Sequence, residues 1–117
     1  MLLFTFSNYA QEKKCADFKT GEFRYVDKNM FDKIIRTDSL QTETNPDDNT
    51  IVKTTLEWTS ECKYVMTYSE ILNYKKDVSG IIGKKIYCEI LEINGNRIKV
   101  HVKSTTVDEI LEFIKIQ

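Results

Sequence analysis

Residues 51–68 read IVKTTLEWTSECKYVMTY. Val52, Thr54, Leu56 and Trp58 recur at period two, and Lys53, Thr55, Glu57 and Thr59 occupy the opposite face. Side chains of a strand alternate between faces, so this is a half-buried β-strand. After Ser60 the alternation resumes, with Cys62, Tyr64, Met66 and Tyr68 on one face. A three-residue loop at Thr59-Ser60-Glu61 would set Trp58 opposite Cys62, Leu56 opposite Tyr64, Thr54 opposite Met66 and Val52 opposite Tyr68. All eight then share a face, whereas a one-residue slip would send one strand's large residues to solvent. The loop contains no Gly for a left-handed position, so Ser60 or Glu61 would have to take it, or the loop is wider.

Upstream, GEFRYV at 21–26 alternates Phe23 and Tyr25 with Glu22 and Arg24. Residues 32–37 and 40–44 read as two more strands, and Asn45-Pro46-Asp47-Asp48-Asn49 is the strongest turn in the chain. Proline presets the turn φ, and Asx side chains bond their own backbone. Residues 69–77 suggest a short capped helix or irregular segment, and 78–83, with Gly80 and Gly83, a loop or short bent strand.

Residues 85–102 form a second hairpin turning at Asn94-Gly95. A two-residue loop sets Cys88 opposite His101 and Leu91 opposite Ile98. A three-residue loop Ile93-Asn94-Gly95 sets Ile86 opposite Val102, Cys88 opposite Val100, Ile90 opposite Ile98 and Glu89 opposite Lys99. The second is preferred because it gives one apolar face, at the cost of turning Tyr87, Leu91 and Ile93 outward. Residues 109–116 read as a final strand. The expected fold is mainly β: one antiparallel meander of about eight strands with at most one or two short helices, curled into a barrel or half-barrel.

With 117 residues, the chain is one domain with enough apolar and aromatic side chains for a core. The formal charge of −1 leaves no basic excess to hold a phosphate backbone, so nucleic acid is not expected as a partner. MLLFTFSNYA at 1–10 is uncharged and QEKK follows abruptly, which reads as the remnant of a signal peptide before a single domain at 11–117. Export, to the periplasm or beyond, makes a disulfide feasible. Of the three cysteines, Cys15 in the lead-in can reach Cys62 at the hairpin loop, and Cys88, in mid-strand, reads as a small buried apolar residue.

IIRTDSLQTE at 34–43, LEWTSECKY at 56–64 and GEFRY at 21–25 resemble a group of small exported proteins from Bacteroidota, flavobacteria in particular. The resemblance implies export and a lipocalin-like curved sheet, and it implies no activity. Some members carry a topoisomerase label. Nothing in this sequence supports it, since there is no metal-binding acidic motif and no basic DNA track.

No catalytic signature is present, and no enzyme is expected. Cys88 and His101 would need an orienting acid and an oxyanion donor that the sequence does not offer. Cys15, Cys62, Cys88 and His101 lack the spacing of a zinc site, so neither metal nor cofactor is expected. The aromatic face of Phe23, Tyr25, Trp58, Tyr64 and Tyr68 either fills the core or lines a cup for a small apolar or amphipathic ligand, the tyrosine hydroxyls orienting it. A ligand-binding module is the leading reading. The alternative is an envelope protein with a packed interior that meets a protein partner through an outer patch of Tyr87, Leu91 and Ile93. An open cavity beside Trp58 and Tyr64 separates the two.

Overall fold

The computed structural model describes residues 13–117; the expected leader at 1–10 lies outside them. A single 3-10 turn, Cys15–Phe18, precedes eight strands: β1 Gly21–Tyr25, β2 Lys33–Arg36, β3 Leu40–Thr44, β4 Ile51–Trp58, β5 Lys63–Leu72, β6 Lys85–Asn94, β7 Arg97–Lys103 and β8 Asp108–Lys115. Each strand pairs antiparallel with the next, and β8 returns to β1, so the meander is a closed barrel. Inward-facing Phe23, Ile34, Leu56, Tyr64, Cys88, Ile90, Ile98, Val100 and Val102 form the core. Among the described residues, no helix is long and apolar enough to cross a membrane.

The central hairpin keeps its predicted face but not its predicted register. Trp58 faces Tyr64, Leu56 faces Met66 and Thr54 faces Tyr68. The loop is the four residues 59–62, closed by the Thr59 N–H on the Lys63 carbonyl at 3.0 Å. No residue in it has a positive φ, so the wider loop avoids the left-handed position that a three-residue turn demands. The slip is two residues, and at period two that restores each side chain to its own face.

The helix expected within 69–77 does not form. β5 runs on to Leu72 by way of a bulge at Ser69, after which Glu70 faces Lys53 and Ile71 faces Val52. The Ser69 hydroxyl donates to the Lys53 carbonyl across the bulge at 3.1 Å. Pairing with β4 satisfies more backbone than one capped turn could, so tertiary context overrides the local signal. Just past the end of β5, Asn73 takes φ 62° and donates from Nδ2 to the carbonyl of Asn49, itself at φ 62°.

The second hairpin adopts neither predicted register. Its loop is Gly95-Asn96, with Ile93 opposite Ile98 and Glu92 opposite Lys99. Gly95 supplies the positive φ at the first loop position, at 64°. A bulge at Leu91 then shifts the pairing, so that Ile90 faces Val100, Glu89 faces His101 and Cys88 faces Val102. The bulge also corrects the outer face: Tyr87 and Leu91 are exposed, whereas Ile93 packs inward against the core.

Closure depends on one glycine. Gly21 has φ 129°, and a Cβ there would overlap the Gln117 carbonyl oxygen and the Lys115 side chain. Beside it, the Glu22 N–H donates to the Gln117 carbonyl and the Ile116 N–H to the Glu22 carbonyl, both at 2.8 Å. Gly21→Ala is therefore expected to loosen the β1–β8 seam and to cost about 2–3 kcal/mol. Urea unfolding checks this, and amide exchange should rise first at residues 21–25 and 113–117.

Candidate functional site

The two barrel ends differ. At one end the 3-10 turn lies across the opening. Phe18 is 1 % exposed and packs on Phe23 with ring centroids 6.5 Å apart. Cys15 is bonded to Cys62, as expected from their positions, with Cα atoms 5.3 Å apart. Lys115 Nζ donates to the Asp17 carbonyl at 2.6 Å. The other end is framed by the longer connections 26–32, 45–50, 73–84 and 104–107, and from there a cavity of about 450 Å³ runs into the barrel. That volume lies within the usual range of small-molecule sites.

Arg36 lies on the cavity floor. It shares the inner face of β2 with Ile34, and both are buried. Its Nε and Nη2 donate to Gln41 Oε1 at 3.1 and 2.6 Å, Nη2 also to the Tyr64 hydroxyl at 3.3 Å, and Nη1 to the Phe18 carbonyl at 3.2 Å. The guanidinium stands over the rings of Tyr64 and Phe23, 4.8 and 5.2 Å from their centroids. The turn that plugs the closed end thus also anchors the cation at the base of the open one.

Above the floor, the Tyr25 hydroxyl donates to Glu43 Oε2 at 2.8 Å. Burial, followed by the neighbouring Asp32, pushes the Glu43 carboxyl up to about 8, although the Tyr25 hydrogen bond favours its charged form. Burial, helped by Glu43, raises the Tyr25 phenol, and burial first also raises Tyr64 and Tyr68. All three hydroxyls therefore keep their protons. Met66, Ile86, Val102, Leu111 and Phe113 supply the apolar wall, and Ile81, Lys84, Lys85 and residues 104–107 complete the lining.

The structure brings together three of the five aromatic residues singled out in the sequence. Tyr25, Tyr64 and Tyr68 line the cavity. Phe23 does not: it is 2 % exposed and fills the core under the plug. Trp58 is also outside the lining, at the closed end, stacked on Tyr64 with centroids 4.5 Å apart and with Lys19 Nζ 5.1 Å from its own. The cavity is therefore beside Tyr64 but not beside Trp58. Arg36, Gln41 and Glu43 were missed by sequence reasoning, although IIRTDSLQTE carries all three at inward positions of two paired strands.

Cys88 and His101 do not meet. Cys88 faces the interior, and burial pushes its thiol up to about 11. His101 faces outward across from Glu89 and bonds Asp108 at 2.6 Å, which holds that carboxyl below its usual range. Among the described residues, no group of three or more His, Cys, Asp or Glu side chains is placed to hold a metal ion. Compared with protein-family models, curated proteins and solved structures, the chain matches none.

Proposed function

We propose that the chain is a non-enzymatic, exported binding module that holds one small apolar or amphipathic ligand in its open barrel. The observation that carries this reading is the cavity of about 450 Å³ beneath the open end, walled by apolar side chains and bearing a few polar groups on its floor. Such a combination orients a ligand while burying most of its surface. The Cys15–Cys62 bond supports export, since disulfides persist in oxidising compartments. Cys88, its thiol buried and held protonated, offers no nucleophile.

The alternative, an envelope protein docking through its outer face, requires a filled interior and an apolar patch of Tyr87, Leu91 and Ile93. It loses support on both counts, because the interior holds a cavity and Ile93 packs inward.

Titration with the neutral fluorophore N-phenyl-1-naphthylamine tests the carrier reading. One saturable site per chain is expected. Leu111→Trp, which fills the apolar wall, should weaken binding at least tenfold while circular dichroism stays that of the folded barrel. Absence of saturable binding, or equal binding in the filled variant, would rule the reading out.

A further inference from the structure

We infer that the ligand is an amphipathic monoanion, with its carboxylate head on Arg36 and Tyr64 at the cavity floor and its aliphatic tail directed toward the open end. This rests on the carrier reading and adds the ligand's charge and orientation.

Arg36 carries the argument. It is 7 % exposed, and among the described residues no carboxylate stands within ion-pair distance of it. Buried charges are normally paired, because desolvation is costly without a counter-charge. Here the guanidinium is held by groups without net charge: the Gln41 amide oxygen, the Phe18 carbonyl and the Tyr64 hydroxyl as acceptors, and the Tyr64 and Phe23 rings against its face. These contacts fix its position and leave its charge uncompensated. They also use four of its five N–H donors, leaving one on Nη1. Tyr64 accepts from Arg36, so its own hydroxyl proton, whose other neighbour is the Cys88 thiol, can turn to a ligand. The spare N–H on Nη1 and the O–H of the tyrosine bonded to Nη2 supply two donors for the two oxygens of a carboxylate.

Elsewhere in the lining Lys84 is exposed, the Lys85 ammonium is bonded to Thr67 Oγ1 at 3.1 Å, and Glu43, with Asp32 against it, is the acid, so Arg36 is the buried cation of the cavity. Glu43 is occupied by Tyr25 and held in its neutral form around neutral pH. Between floor and mouth, Met66, Ile86, Leu111 and Phe113 provide apolar surface for a tail.

The test compares three probes with one tail, decanoate, decanol and decyltrimethylammonium, by calorimetry at pH 7 below their aggregation concentrations. Decanoate is expected to bind one per chain, at least tenfold more tightly than decanol. Arg36→Met should erase that preference and leave decanol binding in place. Tyr64→Phe keeps the ring that packs on Trp58, so it covers the case in which Arg36→Met fails to fold, and it should weaken decanoate about threefold to tenfold and decanol little. Decanol binding as tightly as decanoate, or decanoate unaffected by either variant, would overturn the anion inference and leave the carrier reading standing. Preference for the ammonium would overturn it in favour of Glu43 as the head site. If none of the three binds and the fluorophore also fails, both readings fall together.

Discussion

Replacing Cys15 and Cys62 by serine is expected to lower stability by about 3–4 kcal/mol. The bond closes a loop with a sequence separation of 47, and loop-closure entropy alone gives about 4 kcal/mol for a ring of this size. The loss should extend beyond the denatured chain. Cys15 opens the 3-10 turn whose Phe18 fills the closed end and whose Phe18 carbonyl accepts from Arg36. With the turn untethered, Arg36 loses one of its fixed acceptors, and the cavity floor loosens. Urea unfolding of the double serine variant should show the reduced midpoint. Fluorescence of the single Trp58, which lies beside the plug, should move toward that of a water-exposed indole at denaturant concentrations that leave the far-ultraviolet signal intact. If Trp58 and the backbone signal change together, with the midpoint of the oxidised protein, the bond is an ornament on an already rigid plug.

The second large effect is a stability that falls as pH rises. In the unfolded chain Glu43 gives up its proton near the ordinary value of 4.5, whereas in the barrel it holds it to about 8. Between those limits the folded state binds more protons than the unfolded one, so Glu43 makes unfolding free energy decline with pH across that window and adds no slope outside it. A shift of this width is worth on the order of 5 kcal/mol at most. The groups facing Glu43 are Tyr25, Asp32 and Tyr68. Both tyrosines are held protonated and contribute no slope there. Glu43→Gln keeps an acceptor for Tyr25 and removes the titration, so its urea midpoint should barely change between pH 5 and 8 while that of the unaltered protein drops. Parallel midpoints for the two proteins would mean that water reaches Glu43 well enough to ionise it in place.

Much of the architecture was legible because β-alternation is a local property. The eight strands, the Asn45–Asn49 turn, the Cys15–Cys62 link and the inward placing of Leu56, Tyr64, Cys88 and Ile90 all follow from spacing and residue type. Registers were harder, because loop width and bulges answer to closure of the whole ring. The bulges at Ser69 and Leu91 each insert one residue that no local pattern demanded. The site was hardest. In KIIR each face carries one isoleucine and one cation, so alternation could not tell that Arg36 points inward. In LQTET the apolar Leu40 argues for the wrong face, and it is the cavity that accommodates Gln41 and Glu43 on the inside. Trp58 misled for the opposite reason. It lies on the inward face as predicted, but at the plugged end, where large aromatics serve packing.

The seam between β1 and β8 also governs how the barrel can be made. Its partners, Phe23 with Lys115 and Tyr25 with Phe113, are some ninety residues apart in sequence. A nascent chain that has emerged as far as β7 can zip hairpin upon hairpin, yet it still carries two raw strand edges, each able to recruit another chain. Only arrival of the last strand removes both at once. The interval before that arrival is when this protein depends most on being kept apart from its own copies.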